Sequence, residues 1–185
     1  MKYTALIVTF NRLGKLKKTV EETLKLEFTN IVIVNNGSTD GTQAWLSSIV
    51  DTRVIVLTLT ENTGGAGGFK TGSQYICEQL ASDWVFFYDD DAYPYPDTLK
   101  SFSQMEKRGC RVFSGLVKDP QGKPCPMNMP FSRVPTSLGD TVRYLRYPGE
   151  FIPAANRSMF VQTVSFVGMV IHRDLLTTRD RKSVV

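Results

Sequence analysis

The chain has 185 residues, enough for one well-buried domain and too few for two comfortable ones. Its formal net charge of +4 comes from basic residues scattered over Lys15-Lys17-Lys18, Arg143-Arg146 and Arg179-Arg181-Lys182. No basic stripe interleaved with aromatics forms, which argues against a nucleic-acid partner and leaves nucleotide diphosphates open.

Cys77, Cys110 and Cys125 lie far apart, with no CxxC pair, as expected of reduced thiols in a cytosolic protein. The start, Tyr3-Thr4-Ala5-Leu6-Ile7-Val8, lacks the basic region and cleavage site of a signal peptide. No run approaches the roughly 20 apolar residues that span a bilayer. The expected location is the cytoplasm, at the inner membrane face if an acceptor or partner supplies peripheral association.

Strand and helix patterns alternate from the first residues. Leu6-Ile7-Val8 reads as a strand buried on both faces, and Leu13, Leu16, Val20 and Leu24 then recur at helical spacing. Ile31 to Val34 is a second strand. Ser38-Thr39-Asp40 offers N-caps, with Gln43 placed to complete a capping box from Asp40 ahead of Ala44, Leu46 and Ile49. Val54 to Leu57 is a third strand. Residues 64 to 68 lead into a helix whose apolar face carries Phe69, Ile76 and Leu80. Trp84 to Tyr88 is strand four, Pro96 to Lys107 a helix, and Val112 to Val117 strand five.

This β-α repetition predicts an α/β fold with a mostly parallel sheet and helices on both faces. Ligands in such sheets bind beyond the carboxyl ends of the strands. Asp119-Pro120-Gln121-Gly122 then reads as a turn. Cys125 to Pro153, rich in proline, glycine and methionine, reads as an irregular surface excursion, and Phe160–Ser165 and Met169–Ile171 as two short closing strands.

Four loops at the carboxyl edge carry chemistry: Thr9-Phe10-Asn11-Arg12, Asn35-Asn36-Gly37-Ser38, Asn62 to Gly68, and the aspartate triplet. Asp89-Asp90-Asp91 ends strand four, and if extended geometry continues, Asp89 and Asp91 converge while Asp90 turns away. Adjacent like charges need a cation or hydrogen bonds, and hard oxygens suit Mg²⁺, Mn²⁺ or Ca²⁺. A solvated acidic helix cap is the plain alternative. Asn35-Asn36-Gly37-Ser38-Thr39-Asp40 could hydrogen-bond a base or ribose, or be an ordinary capped turn. In Asn62-Thr63-Gly64-Gly65-Ala66-Gly67-Gly68 the glycines fit where backbone must come close to something, a diphosphate included. Following the third strand and not the first, this loop argues against a nicotinamide cofactor. His172, the only histidine, reads as a strand-end residue with a satisfied ring. Arg143, Tyr144, Arg146 and Tyr147 could meet sugar or phosphate, though a solvated loop face explains them as well.

Taken in order, Val8–Arg12, Val34–Asp40, Asn62–Phe69 and Phe87–Ala92 resemble the signature of the family 2 glycosyltransferases, over about Lys2 to Leu176. The doubled glycines and aspartate triplet are most similar to the branch of bacterial galactofuranosyl and rhamnosyl transferases of cell-surface glycan assembly. The resemblance implies a GT-A fold in one domain, residues 1–179. It implies inverting transfer from a UDP- or dTDP-linked sugar to a glycan or lipid-linked acceptor. By that resemblance Thr9, Phe10, Asn11 and Arg12 line the nucleotide pocket and Asn36 lies near the base. Asn62, Gly64, Gly65, Gly67 and Gly68 lie against ribose and diphosphate, with Asp90 at the donor. Asp89 and Asp91 hold Mn²⁺ or Mg²⁺. A nucleotidyltransferase is the alternative enzyme class, although Thr9–Gly14 lacks its Gly-rich basic loop. A non-catalytic nucleotide- or carbohydrate-binding module is another.

The family's general-base motif and a further metal-binding histidine are expected after the segment resembled by Val164–Met169, and neither occurs in this sequence. Asp180-Arg181-Lys182-Ser183-Val184-Val185 matches the translation of a sequencing-library adapter. Residues 180–185 are therefore expected to be a non-native tail on an incomplete frame, and the chain to bind donor while turning over little acceptor.

Overall fold

A computed structural model describes residues 1–153 and 159–176. Among the described residues two compact units form: Met1–Val112 with Val170–Leu176, and Phe113–Met169. The anticipated tail at 180–185 lies outside the described residues.

The first unit is built on β1 (Tyr3–Thr9), α1 (Leu13–Leu24), β2 (Asn30–Asn36), α2 (Thr42–Leu46), β3 (Val54–Leu59), α3 (Gly64–Gln79), β4 (Trp84–Asp89) and α4 (Thr98–Gln104). β5 (Val112–Ser114) and β6 (Met169–His172) follow, the latter running into a short α6 (Arg173–Leu176). Strand order is β3-β2-β1-β4-β6-β5, and β1 pairs in parallel with both β2 and β4. The α/β expectation holds, with the sheet at its centre. Ala5, Leu6, Ile7, Ile31, Val32, Ile33, Val34 and Val85 are fully buried, as strands covered on both faces require.

Glycine decides how closely α3 approaches that sheet. A Cβ on Gly68 would stand 2.5 Å from Val8 Cγ1, and one on Gly72 2.3 Å from Leu6 Cδ1. Both positions face β1 from inside the helix, so only a residue without a side chain lets the two backbones meet. Across the sheet, Tyr3, Trp84, Phe86 and Phe102 pack edge to face with centroids 5.1–6.1 Å apart. Arg53 fixes the end of α1. Its guanidinium donates to the Leu24 and Leu26 carbonyls at 2.9 and 2.8 Å and is held in place by Asp51.

Several expected features take another form. Asp40 and Gln43 do not make a capping box. The Asp40 carboxylate accepts from the Thr42 hydroxyl at 2.6 Å and from the Leu13 amide at 3.0 Å, capping α1 across the sheet edge. Gln43 Oε1 instead accepts from Asn35 and Thr58. The helix expected over Pro96–Lys107 is confined to Thr98–Gln104, and Lys107 turns back to donate to the Phe102 and Met105 carbonyls. β5 stops at Ser114, where the Gly115 amide turns to the Gly168 carbonyl.

In the second unit, Asp119–Gly122 forms the expected turn, its Asp119 carboxylate accepting from the Gln121 and Lys123 amides. The expected excursion contains a helix, α5 (Leu138–Arg146), capped by Ser137 Oγ accepting from the Asp140 amide. α5 turns Tyr144 onto Phe131 and fully buried Phe151, leaving Leu138, Val142 and Leu145 exposed. Arg143 pairs with Glu150, and Arg146 stacks on Tyr147. Phe160–Ser165 is not a strand. Its bonds run singly to the Phe131 loop, from the Gln162 amide to the Phe131 carbonyl and from the Phe131 amide to Thr163 Oγ1.

Candidate functional site

β1 lies between β2 and β4: the chain runs from β1 to β2 and β3 on one side and returns from β3 to β4 on the other, so the strand order reverses at the carboxyl end of β1. A cleft of about 340 Å³ opens there, lined by Val8, Thr9, Phe10, Arg12, Asn36, Asn62, Gly64, Gly65, Asp89 and Asp90. The site belongs wholly to the first unit.

Its acidic wall departs from simple strand alternation. β4 ends at Asp89, and the Ala92 amide closes a turn onto the Asp89 carbonyl, so Asp90 and Asp91 lie in the turn. The expected convergence of Asp89 and Asp91 therefore cannot be read from strand period. Asp90 points inward. Only 4 % exposed, it accepts from Thr9 Oγ1 at 2.8 Å, and its backbone carbonyl accepts from Thr19 Oγ1 at 2.8 Å. Asp91 faces out of the cleft lining, onto Arg12 Nη1 at 3.0 Å and Lys15 Nζ at 2.9 Å. Arg12 Nη1 also reaches Asp90 at 3.4 Å.

Asp89 is different. Its carboxylate has no hydrogen bond or ion pair among the described residues, and burial, then Asp91 and Asp90, push its pKa up against the opposing pull of Arg12. A half-buried hard oxygen donor short of positive charge suits Mg²⁺ or Mn²⁺. Among the described residues no three acidic, histidine or cysteine side chains gather as a complete metal cage.

The opposite wall is held by one amide. Asn36 Nδ2 donates to Asn62 Oδ1 at 2.9 Å and to the Gly64 carbonyl at 3.0 Å. Its Oδ1 accepts from the Thr63 amide and hydroxyl, both at 3.0 Å. Asn36 lines the cleft, but its hydrogen-bonding capacity is spent bracing the Asn62–Gly64 loop. Asn62 Oδ1 in turn accepts from the Gly64 amide at 2.8 Å.

The glycine cluster divides by role. Gly64 and Gly65 line the cleft with open space where a side chain would stand. Gly67 and Gly68 do not line it: a Cβ there would meet Thr63 Oγ1 at 2.3 Å and Val8 Cγ1 at 2.5 Å. The glycines also belong to α3's first turn and not to a loop before it. Asn11, expected at the pocket, is in the left-handed region (φ 52°) and exposed. It ties two loops together, donating its amide to Ser38 Oγ and accepting from the Thr39 amide.

Sequence reasoning overlooked Lys15 and Thr19. Lys15 follows Arg12 by one helical turn, a spacing that puts both on one face and could have flagged it. Thr19 carried no signal, because only the packing of α1 on β4 brings it to Asp90. His172 sits at the end of β6 as expected, edge-on to Trp84 with centroids 4.8 Å apart and Nδ1 3.3 Å from Asp174.

The model of glycosyl transferase family 2 matches residues 4–163. The chain belongs to that family. No curated protein sequence matches it. Among solved structures, TarS 1-349 from S. aureus is similar at a TM-score of 0.65 and 21 % identity, over 95 % of this chain and 48 % of that one. The same protein in complex with UDP-GlcNAc matches at 0.65 and 20 %, over 95 % and 46 %. The mannosyltransferase PcManGT from Pyrobaculum calidifontis, in complex with GDP-Man and Mn²⁺, matches at 0.53 and 22 %, over 65 % and 36 %. The family 2 chain thus spans about half the length of TarS 1-349, and these likenesses are of fold. No helix among its described residues is long and apolar enough to cross a membrane.

Proposed function

We propose that this chain is the donor-binding part of a nucleotide-sugar-dependent glycosyltransferase of family 2. The observation that carries the reading is the cleft above β1, where Asp89, without a hydrogen-bond or ion-pair partner among the described residues, shares a lining with Asn62, Gly64, Gly65 and Arg12. An acidic wall facing open backbone and a guanidinium suits a cation–diphosphate complex. Family membership supports a nucleoside diphosphate sugar as the ligand.

In this reading Gly64 and Gly65 leave room for the diphosphate at the start of α3, where amide N–H groups point outward. Asn36 holds the loop in place, and Asn62 presents its Nδ2 group to the ribose or phosphates. Thr9 and Phe10 floor the nucleotide pocket. Asp89, with Asp91 once it is released from Arg12 and Lys15, would hold Mn²⁺ or Mg²⁺. The metal would stabilise charge on the departing diphosphate. In the whole enzyme an acceptor hydroxyl would attack the anomeric carbon as the bond to the diphosphate breaks, inverting its configuration, with the hydroxyl proton passing to a general base that is not among these residues.

The motif pattern further favours a UDP- or dTDP-linked donor and galactofuranosyl or rhamnosyl transfer to a glycan or lipid-linked acceptor. That chemistry fits cell-surface polysaccharide assembly at the cytoplasmic side of a membrane. Calorimetry with UDP, dTDP and NAD, each with and without Mn²⁺, tests the donor assignment. Metal-dependent tightening of UDP or dTDP is the expected result; NAD binding that ignores metal overturns it.

A further inference from the structure

The acidic turn already carries its own cations. Arg12 Nη1 lies 3.0 Å from Asp91 and 3.4 Å from Asp90, and Lys15 Nζ lies 2.9 Å from Asp91, on the same carboxylate oxygen that Arg12 holds. Both basic side chains are more than half exposed, at 52 % and 59 %, and Asp91 is 38 % exposed. Such pairs are weak and exchange readily with other partners. By contrast Asp90 is anchored by buried Thr9 and Thr19, so the turn stays in place when its cations leave.

Arg12 is also only partly committed. Its Nη1 makes both contacts to the acids, while Nε and Nη2 have no partner among the described residues and the side chain lines the cleft. A guanidinium is a rigid fork suited to phosphate oxygens. An arriving diphosphate therefore competes with Asp90 and Asp91 for Arg12.

We propose that Arg12 and Lys15 are exchangeable counter-ions of the acidic turn, which make divalent-cation binding depend on a nucleoside diphosphate. Without nucleotide they neutralise Asp91 and weaken the site for a bare cation. With nucleotide, Arg12 moves toward the phosphates and Asp91 becomes available. The two ligands then favour each other by the same factor in both directions, as linkage requires. This inference rests on the donor reading above, because it needs a diphosphate in the cleft.

The test is Mn²⁺ binding followed by electron paramagnetic resonance. It uses the wild-type chain, Lys15→Gln, Arg12→Gln and the double variant, with and without UDP, taking Mn·UDP alone as reference. Removing the two cations that pair with the acidic turn should tighten bare Mn²⁺ binding about tenfold in the double variant at low salt. Raising the salt should shrink that gain. Lys15→Gln changes only an exposed helix position and should give about threefold, which keeps the test readable if Arg12→Gln folds poorly. UDP should tighten Mn²⁺ about tenfold in the wild type and clearly less in the double variant. Bare Mn²⁺ binding equal to or weaker than wild type in all variants overturns the proposal, as does an undiminished UDP effect. If no nucleoside diphosphate binds the wild type with metal, the donor reading fails. The bare-metal comparison still reports separately whether Arg12 and Lys15 screen the site.

Discussion

Thr9 Oγ1 donates a 2.8 Å hydrogen bond to Asp90 Oδ2 across the paired ends of β1 and β4, and both residues are buried. This contact turns the middle aspartate into an anchor, leaving Asp89 at the cleft and Asp91 at the surface. Thr9→Val keeps the shape but strips a buried carboxylate of one donor. The expected loss is about 1.5–3 kcal/mol, as for hydrogen bonds to charged groups. Urea denaturation checks it, with Thr9→Ser retaining most of the stability.

The Asn36 brace makes an equally direct prediction. Asn36→Asp is nearly isosteric, yet it replaces a donor to Asn62 Oδ1 and the Gly64 carbonyl by a third acceptor facing them. A buried carboxylate against two oxygens should cost about 2–3 kcal/mol in stability. It should also weaken UDP–Mn²⁺ binding at least about tenfold, through a displaced loop. Calorimetry and denaturation measured together separate the two effects.

Within one glycine cluster, alanine should have opposite consequences. Gly68→Ala pushes a methyl to 2.5 Å from Val8 Cγ1, and overpacking of this kind costs about 1–3 kcal/mol despite alanine's better helix propensity. Gly65→Ala meets open space and should stabilise α3 by up to about 1 kcal/mol. Thermal unfolding of the two variants decides whether the cluster serves packing at one end and access at the other.

Alkaline stability should track one tyrosine. Tyr88 is fully enclosed, and burial raises its pKa against a hydrogen bond with Thr23 Oγ1 at 2.9 Å. The unfolded chain releases this proton near pH 10, while the folded chain keeps it. The contribution is thus complete below about pH 10 and is lost as pH rises from there toward the folded value. Tyr88→Phe should cost about 1 kcal/mol at neutral pH and flatten the decline above about pH 10, read from denaturation midpoints.

How much was legible depends on the range of each interaction. The apolar runs Leu6–Val8, Ile31–Val34 and Trp84–Tyr88 are local patterns that need no partner to be read, and each is a strand. His172 and the turn at Asp119 were likewise readable in place. α5 escaped because its apolar residues Leu138, Val142 and Leu145 lie among prolines and glycines, while its inward contacts come from Tyr144 and from Asp140, which pairs with Arg133.

Sequence alone therefore determined the β-α order, the four loops at the carboxyl edge and the chemical types gathered there, since backbone period and residue chemistry act over a few neighbours. Tertiary structure decided how those residues divide their work. Asp90 is an anchor because Thr9 and Thr19 reach it from β1 and α1; Asn36 is a brace because Thr63 and Gly64 lie opposite it. Gly68 is a spacer because Val8 stands beneath it. Each of these roles depends on a partner from another segment of the chain, and burial makes the hydrogen bond or the close contact strong enough to fix the role.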